Sequence, residues 1–347
     1  MNATELDLTW HSPANPPFRI NGFAWYGKEG KYRRLPQAPR VVIPPVVDKF
    51  ANCTSGGQIR FRTDSSSLTL RVKLSGLADL NNMPATSQCG FDSYIDIGER
   101  RLFHSSSRYD HTKRDYEIVM YQKMKRRLRD VTLYFPLYQG VEEVNIGLDR
   151  DGNVAEPADY ASDKRVVVYG TSITQGASAA RPGMSYTNIL SRRIPLEFIN
   201  LGFSGSGRGE PEVAMLVGDI PNPACLVLDY EANCPRPEHM EKTLPEFIRI
   251  YRDAHPAVPI LVVSKIRFAR ELFDDELLNK RLSMQAIQRE TVERLNRQGD
   301  RNVFFYDGSG LLGDHFHECT VDGVHPTDLG FMRIADGLTP VLQKLLQ

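Results

Sequence analysis

Residues Val166–Tyr186, VVVYGTSITQGASAARPGMSY, decide how this chain is read. Four apolar residues run into Gly-Thr-Ser, and a polar stretch rich in Gly and Ala follows. An unbroken apolar run suits a strand buried on both faces, and Gly170 permits a sharp turn after it. A helix opening there would aim its free backbone N–H groups at Ser172. Taken alone, Ser172 reads first as a helix cap and second as an aimed nucleophile. The turn is not G-x-S-x-G, because Thr174 stands where the second glycine would be, and no GK[ST] follows to make a phosphate loop.

Downstream, short β-rich runs (RVVVYG, LEFINLG, ACLVLDY, PILVVSK, NVFFYDG) alternate with helix-length segments. Helices are expected near Ser185–Arg193, Glu210–Val217, Glu238–Ala254, Glu276–Arg297 and Asp328–Leu346. That rhythm predicts a parallel sheet covered on both faces. Upstream, from about Gln58 to Leu148, the period is two: QIRFRTDS, SLTLRVKLSG, GFDSYIDIG, YEIVMYQ, DVTLYFPLYQG and VEEVNIGLD read as half-buried strands. No amphipathic helix is expected among them, so the first half predicts an all-β, jelly-roll-like sandwich. The polar stretch Asp149–Arg165 reads as a linker. Two domains follow, 1–155 and 156–347.

Lys plus Arg and Asp plus Glu balance at 43 each in 347 residues, so no global field draws the chain to nucleic acid or anionic lipid. The basic run Lys123–Arg129 reads as a solvated turn. Five cysteines without a CxxC pair suggest reduced thiols. No apolar stretch nears the roughly 18 residues of a membrane span, and MNATELDLTW does not read as a signal peptide. Neither a nucleic-acid nor a membrane partner is expected, and a cytoplasmic protein is the favoured expectation.

In an open parallel sheet, ligands bind beyond the carboxyl ends of the strands. After the second of these strands comes NLGFSGSG, whose glycines bring backbone N–H groups within reach of an oxyanion. After the third, Asn233 can offer its side-chain N–H₂ to the same charge. After the fifth, DHFHECTVDGVHP sets Asp322 three residues before His325, close enough for a turn to bring carboxylate to imidazole, and Pro326 is expected to open the last helix. A carboxylate on one ring nitrogen orients the other toward a serine. The same segment carries a rival, because His315, His317, Asp322 and His325 can be read as metal ligands if H-x-H lies on a strand. A serine, a Gly-rich loop, an asparagine and Asp-x-x-His after successive strands shift Ser172 toward the nucleophile.

These residues resemble the SGNH (GDSL-type) hydrolase superfamily. YGTSITQG is similar to its first block, NLGFSGSG to its second and DGVHP to its last; the third departs, with Glu231-Ala232-Asn233-Cys234 in place of G-x-N-D. The resemblance covers about residues 164–347 and implies a flavodoxin-like, three-layer α/β/α domain with a five-stranded parallel sheet. It implies Ser172 as nucleophile, His325 as general base and acid, Asp322 as orienting carboxylate, and the Ser172 N–H, the Gly205 N–H and the Asn233 side chain as oxyanion donors. Upstream, Gly90, Asp92 and Tyr94 match a G-x-D-L-Y motif of a two-domain subgroup, with Ser93 in place of the leucine. Its relatives imply a short-chain ester, acetyl on a carbohydrate, hydrolysed without metal or organic cofactor. An acyltransferase with the same triad, a metal-dependent deacetylase and a non-catalytic carbohydrate-binding protein are the alternatives.

Overall fold

The computed structural model describes residues 7–98 and 100–347. The opening MNATEL of the stretch read above for a signal peptide lies outside the described residues. The chain divides into two compact units. The first comprises the chain up to Arg34, Asn52–Tyr160 and Ala180–Gly183; the second comprises Leu35–Ala51, Ala161–Ala179 and Met184–Gln347.

The first unit is antiparallel. Its strands are β1 (Leu8–His11), β2 (Arg19–Asn21), β3 (Gln58–Thr63), β4 (Leu68–Leu74), β5 (Asp92–Ile97), β6 (Arg100–Ser106), β7 (Asp115–Tyr121), β8 (Arg129–Tyr134), β9 (Val141–Asp149) and β10 (Val154–Ala155). One sheet runs β1-β9-β4-β7, the other β10-β3-β8-β5-β6, with β2 paired to β3. Along β4, Leu70, Val72 and Leu74 are buried while Arg71 and Lys73 face water. Those apolar residues join Ile146 of the same sheet and Ile59, Phe61 and Leu133 of the other in one core. Each such side chain contributes about 1.5–3 kcal/mol on burial. Strand β6 escapes a reading by alternation because none of its residues is fully buried. A short helix, Ala85–Gln88, does interrupt the strands.

The stretch expected to be a linker is in part docked. Strand β10 pairs with β3, Arg60 Nη2 donates to the Ala158 carbonyl at 2.6 Å, and the Ala158 N–H donates to Asp130 at 2.9 Å. Its polar composition reflects these partners rather than freedom. Asp92 and Tyr94, two apart on β5, both meet Arg181, whose Nη1 donates to the Asp92 carboxylate at 2.9 Å and to the Tyr94 hydroxyl at 2.6 Å. The Gly183 N–H adds a second bond to Asp92 at 2.8 Å. Ser93 points the other way, to Ser105. Asp92 is fully buried, and a buried carboxylate persists when a cation and hydrogen bonds replace its water. Those bonds are why Ala180–Gly183 belongs to this unit.

The second unit holds β11 (Arg165–Gly170), β12 (Glu197–Gly202), β13 (Pro223–Asp229), β14 (Ile260–Val263) and β15 (Val303–Tyr306). They form a parallel sheet in the order β12-β11-β13-β14-β15. The chain goes out from β11 to β12, then returns past β11 to β13, so strand order reverses beside β11 and a crevice opens at its carboxyl end. Val166, Val167 and Val168 are almost wholly buried, as expected of a strand covered on both faces. Helices Tyr186–Arg193, Pro211–Gly218, Pro237–Ala254, Asp275–Arg297 and Asp328–Leu345 lie where the pattern placed them.

One part of this unit comes from far upstream. Leu35, Ile43, Val47 and Ala51 are buried, the last two in helix Pro45–Ala51. Arg40 grips Asp219 through two bonds of 3.0 Å. A fragment of residues 160–347 lacks this segment and bares the apolar surface that it covers. Such a fragment is expected to unfold at a clearly lower denaturant concentration than the full chain, or to precipitate. A soluble fragment with the full chain's second-unit stability, measured by urea unfolding, would show the segment to be dispensable.

Candidate active site

Ser172 opens the short helix Ser172–Gln175 directly after β11. Thr171, not Ser172, is the N-cap, and its hydroxyl accepts from the Ile173 N–H. The capping duty that made Ser172 ambiguous is therefore carried by its neighbour. The Ser172 hydroxyl lies 2.9 Å from His325 Nε2, and His325 Nδ1 lies 2.7 Å from Asp322 Oδ2. Three residues that are distant in sequence, or separated by a turn, thus form one hydrogen-bonded chain.

The turn is built for this contact. Asp322 Oδ1 accepts from the Val324 and His325 N–H groups at 3.1 and 2.8 Å, which leaves Oδ2 for the ring. Gly323 has φ +84°, a left-handed conformation that glycine adopts without strain. The Val321 N–H donates to the His325 carbonyl at 2.8 Å, and Thr320 bridges Pro326. Pro326 was expected to open the last helix. It sits instead in this bridge, and Thr327 caps the helix.

The Gly-rich loop is seamed to the turn that carries Ser172. The Phe203 N–H donates to the Gly170 carbonyl at 3.0 Å, and the Ser204 N–H to Gln175 Oε1 at 3.1 Å. A Cβ on Gly202 would lie 2.2 Å from the Gln175 nitrogen, and one on Gly207 only 2.0 Å from the Gly170 oxygen. Ser206 and Gly207 both donate to the Phe203 carbonyl. Gly205, at φ +64°, has an N–H with no acceptor among the described residues, the condition that an oxyanion donor must meet.

Asn233 differs from the expectation. It lies in the turn Glu231–Asn233, and its side-chain nitrogen donates to the Phe203 and Gly207 carbonyls at 3.2 and 3.1 Å. The N–H₂ expected to be on offer is already engaged in stapling the Gly-rich loop. The metal rival loses its geometry as well. His315 and His317 lie in and beside the turn Phe316–Glu318 rather than on a strand, with ring centroids 6.1 Å apart. No group of three or more His, Cys, Asp or Glu side chains suited to a metal ion occurs among the described residues. No helix among them is long and apolar enough to cross a membrane.

The family model of GDSL-like lipase/acylhydrolases matches residues 163–343. The chain belongs to this family. The GxDLY model, the N-terminus of SGNH-hydrolase-type esterases, matches residues 8–154. A protein from Bacteroides ovatus described as a GDSL-like lipase shares 31% identity over 98% of both chains, with a TM-score of 0.90. At 20% identity, the salicylyl-acyltransferase SsfX3 from a tetracycline biosynthetic pathway has the same fold (TM-score 0.76, 98% of both chains). So does a family two carbohydrate esterase from Cellvibrio japonicus, at 15% identity and TM-score 0.64 over 98% of both chains. A search of curated proteins finds no match.

One group in this GDSL-like site had no signal in the sequence. Asp229, the last residue of β13, accepts from the Tyr186 hydroxyl at 2.7 Å and from the Thr174 hydroxyl at 3.1 Å. Thr174 belongs to the helix Ser172–Gln175, so this carboxyl braces that helix. Burial pushes the Asp229 pKa up to about 7, against which the two hydroxyls work. In sequence, LVLDY shows only an aspartate at a strand end.

Two outcomes follow from these contacts. Asn233→Ala takes the side-chain donor from the Gly207 carbonyl and one of three donors from the Phe203 carbonyl, so it should lower stability by about 1–3 kcal/mol as well as slow ester turnover. Slowed turnover at wild-type stability in urea would mean that the side chain serves the oxyanion alone. For Asp229, the folded pKa lies above the unfolded one, so the folded state holds the extra proton between about pH 4 and 7. Its contribution to stability is present below that window and is lost as pH rises through it. Asp229→Asn should therefore gain melting temperature relative to wild type on going from pH 5 to pH 8. A constant difference across that range would exclude the carboxyl as the titrating group.

Proposed function

We propose that this member of the GDSL-like family is a serine esterase that removes a short acyl group, acetyl, from a carbohydrate through an acyl-enzyme. The observation that carries the reading is the continuous hydrogen-bonded chain from Ser172 through His325 to Asp322. His325 Nε2 takes the Ser172 proton as the oxygen attacks the ester carbonyl. Asp322, held by two backbone N–H groups, keeps Nδ1 protonated and stabilises the imidazolium. The Gly205 N–H, with the Ser172 N–H, receives the developing oxyanion. The imidazolium gives its proton to the leaving alcohol, and water then attacks the acyl-enzyme with His325 as base. The His325 side chain is 22% exposed, which gives water that access.

The carbohydrate half of the reading draws on the likeness to carbohydrate esterases, and acetyl is a short acyl group that needs no deep pocket. Transfer of the acyl group to a second hydroxyl would use the same intermediate, and the similar structure SsfX3 is a salicylyl-acyltransferase. Product analysis with and without added alcohol separates the two.

Ser172→Ala should leave the fold intact and reduce kcat on p-nitrophenyl acetate by about 10⁴–10⁶. A fluorophosphonate should label the wild type at Ser172, and EDTA should leave its rate unchanged. A folded Ser172→Ala enzyme with near-normal turnover would end the serine mechanism. Activity lost to chelation and restored by zinc would favour a metal mechanism.

A further inference from the structure

Beside the Gly-rich loop lies a cleft of about 340 Å³, with Pro44–Val47 on one side and Gly205, Ser206 and Arg208 on the other. Both sides belong to the second unit. Gly205, the candidate oxyanion donor, is part of its lining.

The chemistry of the walls says what the cleft suits. Pro44 and Pro45 present ring C–H groups, and Val46 is 53% exposed, which together make a small apolar wall suited to the C–H face of a sugar. Opposite, Arg208 uses Nε on the Gly205 carbonyl at 3.1 Å. Its two terminal nitrogens have no acceptor among the described residues. Glu210, also on the rim, is engaged by the Tyr169 hydroxyl and by the Arg208 backbone N–H. The Ser206 hydroxyl is buried and has no partner among the described residues. A Cβ built on Gly205 meets nothing within 4 Å, so the space above the candidate oxyanion donor is open.

We infer that this cleft is the alcohol subsite, which takes the sugar residue whose ester is cleaved. Residues 44–47 form its specificity wall, and Arg208 donates hydrogen bonds to sugar hydroxyls. The inference rests on the serine-esterase reading above. It places a substrate-selecting element in a segment encoded more than a hundred residues before the nucleophile. That segment is anchored by Arg40 on Asp219 and by the buried Val47.

The test compares Val46→Trp, which fills the cleft, and Arg208→Ala, which removes the donors, with wild type. The substrates are p-nitrophenyl acetate and acetylated xylo-, gluco- and manno-oligosaccharides. All share the acyl group and differ in the alcohol. Both variants should lose about tenfold or more in kcat/KM on the preferred sugar acetate relative to their loss on p-nitrophenyl acetate, mainly through KM. The deacetylated oligosaccharide should inhibit p-nitrophenyl acetate hydrolysis competitively, and more weakly in both variants. Both side chains are exposed or lie on the rim, so melting temperatures should match wild type; if either variant melts early, Val46→Phe or Arg208→Gln takes its place. Equal losses on both substrate types would overturn the inference. So would a wild type that cleaves p-nitrophenyl acetate but none of the sugar acetates. A wild type inactive on every ester would instead overturn the esterase reading, and the subsite with it.

Discussion

Gly170 and Gly202 pair across β11 and β12 at their carboxyl ends, and the backbone beyond each presses on the other with no side chain between. The Phe203 N–H closes on the Gly170 carbonyl, and Gly207 lies so near that oxygen that a methyl group would not fit. This close approach of two bare backbones brings the Gly-rich loop beside Ser172. A backbone N–H can serve an oxyanion only if no side chain holds the two strands apart, and glycine alone meets that demand. Asn233 completes the arrangement from the third strand by bonding two carbonyls of the same loop.

The catalytic geometry proposed here is supported by layers with different physical origins. The parallel sheet supplies the position, because its strand order reverses beside β11. The Asp322–His325 turn supplies the orientation, with backbone N–H groups holding one carboxylate oxygen and leaving the other for the imidazole. Asp229 braces the helix that begins at Ser172, its carboxylate accepting from the Tyr186 and Thr174 hydroxyls.

The two units do not follow the order of the chain. Residues 35–51 join the α/β unit through Leu35, Ile43, Val47 and the Arg40–Asp219 pair. Residues 180–183 join the β unit through the buried Asp92 carboxylate. A buried charge with one guanidinium and one N–H as partners is specific in direction, and a misplaced Arg181 would leave it uncompensated. The G-x-D motif of β5 is thus accounted for by the segment that it holds, eight to eleven residues after Ser172.

Much of this was legible in the residues themselves. Period-two alternation marked β3, β4, β5, β7, β8 and β9, and unbroken apolar runs followed by helix-length segments marked the five parallel strands, because burial on one face or two writes itself directly into the spacing of apolar residues. Ser172, Asp322 and His325 were legible because each follows a strand or shares a tight turn. The tertiary structure alone decided the rest. Neither face of β6 is fully buried, so it carries no periodic trace, and β10 is too short to carry one. Polar residues at 154–160 resemble a linker until Arg60 and Asp130 are seen to bond them. The engagement of Asn233, the brace at Asp229 and the transfer of residues 35–51 depend on contacts between segments far apart in sequence. Such contacts leave no local pattern, since a polar side chain looks the same in sequence whether its partner is water, a carbonyl or a distant arginine.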